Sequence, residues 1–181
     1  MKDMHRLFIA IRPPADVRAR LLSLPGSILG ARWQDDDQLH LTLRFVGEVS
    51  THQAQDLADA LEQIRFVPFS IALAGLGQFE RKGRVTAIWA AVQPREPLAQ
   101  LQQKVDRACV RAGLPPEQRA YLPHITLARL NQAAGPVHSF MELNAALSGP
   151  PFTIDNFALF ESHLGHTGAI YHQAATYRAL P

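Results

Sequence analysis

The sequence predicts a single domain of mixed α and β structure with two similar lobes. Its 181 residues are within the usual size of one domain with its own core. Segments patterned as strands alternate along the chain with segments whose apolar residues have helical spacing. A four-residue pattern also occurs twice, as HLTL at residues 40–43 and HITL at residues 124–127. Because further strands and helices accompany each copy, we expect one copy in each lobe.

The N-terminal half predicts two strands and two helices. Residues 6–12 form an apolar run typical of a buried strand, closed by two prolines. Residues 15–24 predict a helix that the following Pro-Gly pair ends. Residues 39–46 carry the first motif on a strand that ends before Gly47. The next helix runs to residue 64, with either Ser50 or Thr51 as its N-cap.

The C-terminal half predicts an antiparallel pair of strands, two helices and three further strands. The pair is joined by a basic turn over residues 77–84. The longer helix keeps apolar residues on one side and ends at Gly113. In chain order, the elements are strands 69–76 and 85–92, helix 98–112, a motif strand after Pro123, helix 137–147, and strands 152–162 and 169–178.

Composition is that of an ordinary globular protein, with 47% hydrophobic and 19% charged residues. The apolar run nearest the N-terminus, residues 7–11, is too short for a membrane span or a signal peptide. We therefore expect a cytoplasmic protein. The single cysteine, Cys109, excludes an internal disulfide and a zinc site of several cysteines. Its place in a helical pattern favours a small buried apolar residue.

A net charge of +2 does not by itself indicate a nucleic-acid partner. The basic residues are 15 arginines and 3 lysines, and the planar guanidinium matches phosphate oxygens in a bidentate way that an ammonium group does not. Coding bias also produces such a composition. The positions of the arginines must therefore show which of them serve function.

Each motif places a histidine and a threonine two residues apart, and residues i and i+2 of a strand point to the same face. Imidazole titrates near neutrality, so two facing histidines supply a proton acceptor and a proton donor together. A threonine beside each histidine supplies a hydroxyl donor for a phosphoryl oxygen. Displacement of one oxygen by another at phosphorus needs these groups and no metal. The catalytic candidates are His40, Thr42, His124 and Thr126.

An arginine follows each motif, and the two occupy different positions. Arg44 is four residues after His40, so simple alternation puts it on the face of the histidine. Arg129 is five residues after His124 and falls on the opposite face, unless the strand ends or bulges between Thr126 and Arg129. Alternation therefore favours Arg44 as a phosphate ligand.

The two motifs with their flanks, HLTLRFVG at 40–47 and PHITLAR at 123–129, resemble the paired HxTx motifs of the 2H phosphoesterase superfamily. The chain is most similar to the RNA 2′,3′-cyclic phosphodiesterases, historically called 2′-5′ RNA ligases. Other segments extend the resemblance over nearly the whole chain. They are RLFIA at 6–10, LAGLGQF at 73–79, Ile88-Trp89, FES at 160–162 and GAIY at 168–171.

The resemblance implies a bilobal α+β fold over residues 1–181, with an antiparallel sheet and helices in each lobe and a central catalytic groove. It implies hydrolysis of a terminal 2′,3′-cyclic phosphate on RNA to a 2′-phosphomonoester, without a cofactor, and a reverse 2′-5′ ligation. His40 would be the proton donor and His124 the proton acceptor. Thr42 and Thr126 would bind phosphoryl oxygens, and here Arg129 rather than Arg44 would bind the phosphate.

Several further residues have a functional and a structural interpretation. Phe45, Trp33 and Tyr121 flank the motifs and are either core residues or surfaces for a base. The three histidines at 163, 166 and 172 lack the carboxylate or cysteine partners of a metal site. Gly165 and Gly168 indicate a loop at 163–166, so we expect these histidines to be solvated or to lie at the rim of the substrate groove. The alternatives to an RNA phosphodiesterase are a binding module without turnover and a phosphodiesterase of small cyclic nucleotides. We expect a monomer.

Overall fold

A computed structural model describes residues 3–180 and has the expected α+β architecture. The strands are β1 (Met4–Ile11), β2 (Arg32–Trp33), β3 (Leu41–Ser50), β4 (Phe69–Arg81), β5 (Arg84–Gln93), β6 (His124–Arg129), β7 (Phe152–Ile154), β8 (Asn156–Gly165) and β9 (Gly168–Arg178). The helices are α1 (Ala15–Leu22), α2 (Thr51–Glu62), α3 (Glu96–Arg111) and α4 (His138–Leu143), with a 3₁₀ turn at Asp36–Gln38.

The strands form one curled antiparallel sheet in the order β7-β4-β5-β6-β3-β1-β8-β9, with β2 paired to β6. Its two halves meet where β3 lies beside β6, and the register there is the single pair Leu41 and Ile125. Each half contributes one motif strand to this seam. The arrangement confirms the predicted antiparallel α+β fold and brings the two copies of the motif together.

Helices α2 and α3 pack against each other and against β3, which buries their apolar faces. Ser50 is the N-cap of helix α2: its hydroxyl accepts from the backbone of Gln53, while the Gln53 side chain accepts from the backbone of Ser50. Of the two N-cap candidates, Ser50 is therefore the one used. Cys109 is fully buried on α3, as predicted, and burial raises the pKa of its thiol to about 11.

Two predicted boundaries in the first pair of long strands were wrong. The ladder between β4 and β5 continues through Phe79 and Arg81, so the basic turn shrinks to Lys82 and Gly83. Both turn residues have positive φ, 53° and 75°, as a two-residue hairpin requires. The strand continues beyond its apolar pattern because backbone pairing to β5, and not side-chain burial, stabilises its end.

Three boundaries near the C-terminus also differ. The strand expected over 152–162 is broken at Asp155, because β7 pairs with β4 whereas β8 pairs with β1. The helix expected over 137–147 ends at Leu143, where the Asn144 side chain donates to the carbonyls of Phe140 and Pro25. The expected loop at 163–166 was wrong, since His163 lies on β8 and only residues 166–167 form the turn.

Helices long and apolar enough to cross a membrane do not occur between residues 3 and 180.

Candidate active site

The two motifs lie side by side in antiparallel orientation. Leu41 is paired with Ile125, and both side chains are buried in the main core. In a strand, the neighbours of a core residue point to the other face. This register puts the histidine of each motif opposite the threonine of the other. The exposed face of the seam therefore carries four side chains, those of His40, Thr42, His124 and Thr126.

A β-bulge interrupts the first motif strand at Leu43. On the neighbouring strand β1, Ala10 pairs with Thr42 and Ile9 pairs with Arg44, which leaves Leu43 as the extra residue. Because adjacent residues of β1 point to opposite faces, Arg44 and Thr42 do so too. The bulge thus reverses the alternation that favoured Arg44 as a groove residue.

The second motif strand has a bulge at the equivalent position. Here Trp89 of β5 pairs with Thr126 and Ile88 pairs with Ala128, so that Leu127 is the extra residue. The next pair, between residues 87 and 129, returns the chain to the face of Thr126. The departure from regular β geometry that Arg129 requires to reach the groove is therefore present.

Matching bulges make the fifth residue after each histidine face the groove. These residues are Phe45 in the first motif and Arg129 in the second, and both are exposed. The fourth residues face the other way, toward the helices. Arg44 is only 7% exposed, forms an ion pair with Asp106 of α3 and donates to the carbonyl of Pro115. Its guanidinium stabilises the packing of α3 on the sheet and does not point into the groove.

Both histidines have the same backbone partner. The Nδ1 atom of His40 lies 2.6 Å from the carbonyl oxygen of Gln38, and that of His124 lies 2.7 Å from the carbonyl oxygen of Leu122. A carbonyl only accepts, so each Nδ1 carries the hydrogen and donates it. Each Nε2 is then the atom left for chemistry in the groove.

Each imidazole packs against two aromatic rings that belong to the same half of the sheet. The ring of His40 lies 4.9 Å from Phe8 and 5.2 Å from Tyr171, and that of His124 lies 4.9 Å from Phe79 and 5.6 Å from Trp89. Sequence reasoning did not single out these four aromatic residues. All four occur in the segments outside the motifs that resemble the family. That resemblance was the signal in the sequence that could have identified them.

Burial keeps both histidines neutral near pH 7. Desolvation lowers the pKa of His40 to about 4, with a smaller contribution from the positive charge of Arg129. Desolvation also lowers the pKa of His124, and Arg129 acts on it in the same direction. The free site is therefore ready to accept a proton, and it places one guanidinium within electrostatic reach of both rings.

The 3₁₀ turn before His40 is fixed by several hydrogen bonds. Gln38 uses its carbonyl for His40, while its side chain accepts from the backbone of Asp35 and donates to the carbonyl of Ala169 on β9. The guanidinium of Arg12 donates to the carbonyls of Asp36, Asp37 and Leu39. These contacts connect the orientation of His40 to the β8–β9 hairpin.

A cavity of about 300 Å³ adjoins the motif face. Arg32 and Arg129 are directly opposite each other on β2 and β6, and both line it. Arg32 also donates to the carbonyl of Thr167, 3.1 Å away in the β8–β9 turn. Tyr171 and His166 complete the wall toward the hairpin. Two facing guanidinium groups make this cavity suited to an anion.

The remaining sequence candidates occupy different places. Phe45 is 56% exposed on the groove face, 6.3 Å from the ring of Phe8. The hydroxyl of Tyr121 donates to the carbonyl of Thr42, 3.1 Å away, so it contacts the motif through the backbone. Trp33 is 40% exposed and its ring lies 5.1 Å from Phe140. The rings of His163 and His172 lie 5.0 Å apart on the outer hairpin.

Curated relatives of the chain share one name. A protein of Escherichia coli named RNA 2′,3′-cyclic phosphodiesterase is 33% identical over 133 residues, which are 71% of this chain and 74% of that protein. A Thermotoga maritima protein of the same name is 29% identical over 92% of this chain and 91% of its own length. Two others, from Aeropyrum pernix and Geobacillus stearothermophilus, are matched over only 57% and 55% of their lengths.

Solved structures and a family model agree with these relatives. The structure of E. coli LigT complexed with 3′-AMP superimposes with a TM-score of 0.79 at 27% identity, over 99% of this chain and 100% of that one. TT0787 of Thermus thermophilus also gives 0.79, at 26% identity over 96% and 97%. The model of the 2′-5′ RNA ligase superfamily matches residues 15–166. The chain therefore belongs to the 2′-5′ RNA ligase superfamily, as its two motifs predicted.

Proposed function

We propose that this protein is an RNA 2′,3′-cyclic phosphodiesterase, which opens a terminal 2′,3′-cyclic phosphate to a 2′-phosphomonoester. The observation that carries the proposal is the pairing of Leu41 with Ile125, which aligns two His-x-Thr motifs on one open face. Curated relatives over most of the chain carry the name of this activity. An activated-water reaction at phosphorus needs an acid and a base on opposite sides, and the two halves of the sheet each supply one histidine.

In the proposed reaction, His124 acts as the base. Its neutral Nε2 takes a proton from water while the water oxygen forms a bond to phosphorus. The bond between phosphorus and the 3′ oxygen breaks, and His40 gives that oxygen a proton. His40 must first be protonated, and the negative charge of the bound phosphate raises the pKa that burial has lowered. The products are a 2′-phosphate and a free 3′-hydroxyl.

The remaining groove residues stabilise charge on the phosphoryl group. The hydroxyls of Thr42 and Thr126 donate to non-bridging oxygens, and Arg129 places its guanidinium beside the same group. Phe45 is exposed on the groove face at the position equivalent to Arg129, which suits it to contact a base of the substrate. Each motif thus contributes one histidine, one threonine and one further groove residue.

The same groups support 2′-5′ ligation, in which the two histidines keep their roles. His124 would take the proton of a 5′-hydroxyl while its oxygen forms a bond to phosphorus, and His40 would protonate the 3′ oxygen as its bond to phosphorus breaks. With a 5′-hydroxyl of RNA in the place of water, attack on the cyclic phosphate forms a 2′-5′ linkage. Hydrolysis should predominate because water is far more concentrated than any RNA end.

The test is incubation of the protein with an oligoribonucleotide that ends in a 2′,3′-cyclic phosphate. We expect conversion to a 2′-phosphate, identified by its resistance to an enzyme specific for 3′-phosphates. A 3′-phosphate product would reverse the donor assignment of His40. Binding without any turnover would favour the alternative of a binding module, and turnover confined to cyclic mononucleotides would favour the small-molecule alternative.

A further inference from the structure

The β4–β5 hairpin carries a second pair of facing arginines. Arg81 and Arg84 are directly opposite each other at its tip, next to the two-residue turn Lys82-Gly83. Like charges at directly opposed positions destabilise a sheet. All three cations are exposed, and neither arginine side chain has a hydrogen bond or an ion pair within residues 3–180. The stability of the hairpin therefore does not explain why Arg81 and Arg84 face each other.

The register places these arginines on the same face as the motifs. Phe79 contacts the ring of His124, so its side chain is on the groove face. The ladder has a bulge between Phe79 and Glu80, where Thr86 of β5 is the extra residue. Because the extra residue lies on β5, β4 keeps its own alternation, and Arg81 points to the same face as Phe79. The alternate residues Gln78 and Glu80 bond to each other on the opposite face, at 2.8 Å. Arg84 shares the face of Arg81 because the two are paired.

The hairpin arginines lie farther along the sheet from the motifs than Arg129 does. Arg129 pairs with Ala87, and Ala87 pairs with Phe79, so two strand spacings and two residues separate Arg129 from Arg81. Sheet geometry makes this about 12 Å between Cα atoms. A ligand that carries a second phosphate can therefore contact the hairpin while its terminal phosphate lies beside Arg129. Phe79 lies between them, and alternation of cations with an aromatic ring is typical of surfaces for single strands.

A cavity of about 450 Å³ lies between the hairpin tip and the segment after β6. It is lined by Arg81, Lys82 and Arg84 together with Asn131 and Gln132, and no carboxylate is among its lining residues in the described chain.

Another basic cavity lies on α3 beside Arg107 and Arg111, and the position of these arginines on the helix explains their charge. Helix α3 packs on the helix side of β3, where Arg44 meets Asp106, and basic residues favour the end of a helix.

We propose that Arg81 and Arg84 bind the phosphodiester backbone of an RNA strand whose 3′ end occupies the groove. The preferred substrate is then an oligonucleotide and not a mononucleotide, an inference that rests on the proposed phosphodiesterase function. The hairpin contacts phosphates on the 5′ side of the terminal nucleotide, independently of base identity. Lys82 adds charge at the tip of the same surface.

The test compares the double variant R81A/R84A with R107A/R111A, which removes the same charge from α3. The substrates are a 2′,3′-cyclic mononucleotide and a short oligoribonucleotide with a 2′,3′-cyclic phosphate end. We expect R81A/R84A to lower the ratio of kcat/KM for the oligonucleotide to that for the mononucleotide about tenfold. The slope of log kcat/KM against log salt should fall by about 1.4 for two lost phosphate contacts. The same ratio in both double variants would overturn the proposal.

A binding measurement separates this inference from the proposed function. Should the wild-type protein turn over neither substrate, the phosphodiesterase function is wrong, and anisotropy of a labelled oligoribonucleotide still tests the surface. Weaker binding and a smaller salt slope for R81A/R84A than for R107A/R111A support an RNA-binding hairpin. Equal affinity of the two double variants contradicts it.

Discussion

At the scale of single residues, the site depends on two imidazoles that share one arrangement. Each donates from Nδ1 to the carbonyl two residues earlier in the chain, and each is enclosed by two aromatic rings. Each ring is therefore fixed in one tautomer with its Nε2 available. Desolvation lowers the pKa of both imidazoles, and it brings the pKa of His40 to about 4.

Replacement of either histidine should remove most of the activity. We expect His40→Ala and His124→Ala each to lower kcat on the cyclic phosphate by ~10²–10⁴-fold, because each loses one proton transfer. The pH profile of kcat for the wild-type protein should be bell-shaped. Rates are measured on the oligoribonucleotide, with melting temperatures to verify folding. Near wild-type turnover in either variant would contradict the paired mechanism.

The burial of His40 also predicts how stability changes with acid. Its pKa is lower in the folded protein than near 6.5 in the unfolded chain, so the unfolded state binds more protons between pH 6.5 and about 4. The free energy of unfolding should therefore fall as pH decreases through this window, by up to about 3 kcal/mol for this group. Above pH 6.5 the contribution is complete.

The variant His40→Asn isolates this effect, since its amide does not titrate and can still donate to the carbonyl of Gln38. Denaturant unfolding from pH 7 to pH 4 should show a smaller loss of stability in His40→Asn than in the wild type. Carboxylates whose pKa is lowered by arginines, such as Asp36, also lower the free energy of unfolding in acid, and they do so equally in both proteins. Parallel stability curves would show that His40 is not responsible.

The two arginines that follow the motifs should have opposite phenotypes. Arg129→Ala removes a guanidinium from the groove and should reduce kcat/KM by about 1.5–3 kcal/mol of transition-state free energy, with little change in melting temperature. Arg44→Ala leaves Asp106 without its ion-pair partner and should instead destabilise the fold by about 3 kcal/mol or more. Kinetics and thermal melts on both variants test this. A larger kinetic defect in Arg44→Ala would be the contrary result.

At the scale of elements, two β-bulges and one hairpin determine what faces the groove. The bulges at Leu43 and Leu127 turn Phe45 and Arg129 outward. The β8–β9 hairpin places Tyr171 against His40, and it is connected to the 3₁₀ turn through Gln38 and to β2 through Arg32. The orientation of one catalytic candidate thus depends on a hairpin more than a hundred residues away in the chain.

Gln38 should act as a positioning residue for His40. Gln38→Ala releases the hairpin and loosens the 3₁₀ turn, so we expect kcat to fall about tenfold and the pH profile of kcat to shift, with KM less affected. The matched control is Gln53→Ala. Gln53 bonds reciprocally with the N-cap Ser50 at the start of α2, as Gln38 does with Asp35 at the 3₁₀ turn, but it lies away from the groove. An unaltered pH profile in Gln38→Ala, or the same loss of kcat in Gln53→Ala, would contradict this role.

At the scale of the whole molecule, the site lies on the seam between two half-sheets. The first half supplies His40 with its aromatic partners on β1 and β9, and the second supplies His124 with partners on β4 and β5. Within residues 3–180, one residue pair defines the register where the halves meet, and a single hydrophobic core that contains residues of both halves keeps them aligned. The complete fold therefore brings the two candidate catalytic histidines together.

Activity should survive exhaustive chelation, because in the proposed reaction both proton transfers come from histidines and the charge on phosphorus is met by threonines and Arg129. Hydrolysis of the cyclic phosphate is measured after dialysis against EDTA, with and without added divalent ions. We expect the same kcat in each case. Loss of activity with EDTA and its return with a divalent ion would contradict a metal-independent reaction.

Local patterns in the sequence were enough to predict that His and Thr share one face and that helices cover the core. The i to i+2 rule and the helical spacing of apolar residues are local, so they hold wherever an element forms. Cys109 is an example, since its helical pattern alone predicted its burial. The repeated motif likewise indicated two halves and a shared site, and the family to which the chain belongs.

Which arginine faces the groove depends on how the strands pair, and no pattern along one strand shows it. A bulge belongs to a pair of strands, and those at Leu43 and Leu127 are visible only against β1 and β5. Alternation along one strand therefore pointed to Arg44, which in fact meets Asp106. The aromatic partners of the histidines and the link from Gln38 to Ala169 join distant segments, and such contacts follow from how strands are ordered in the sheet, which no local pattern specifies.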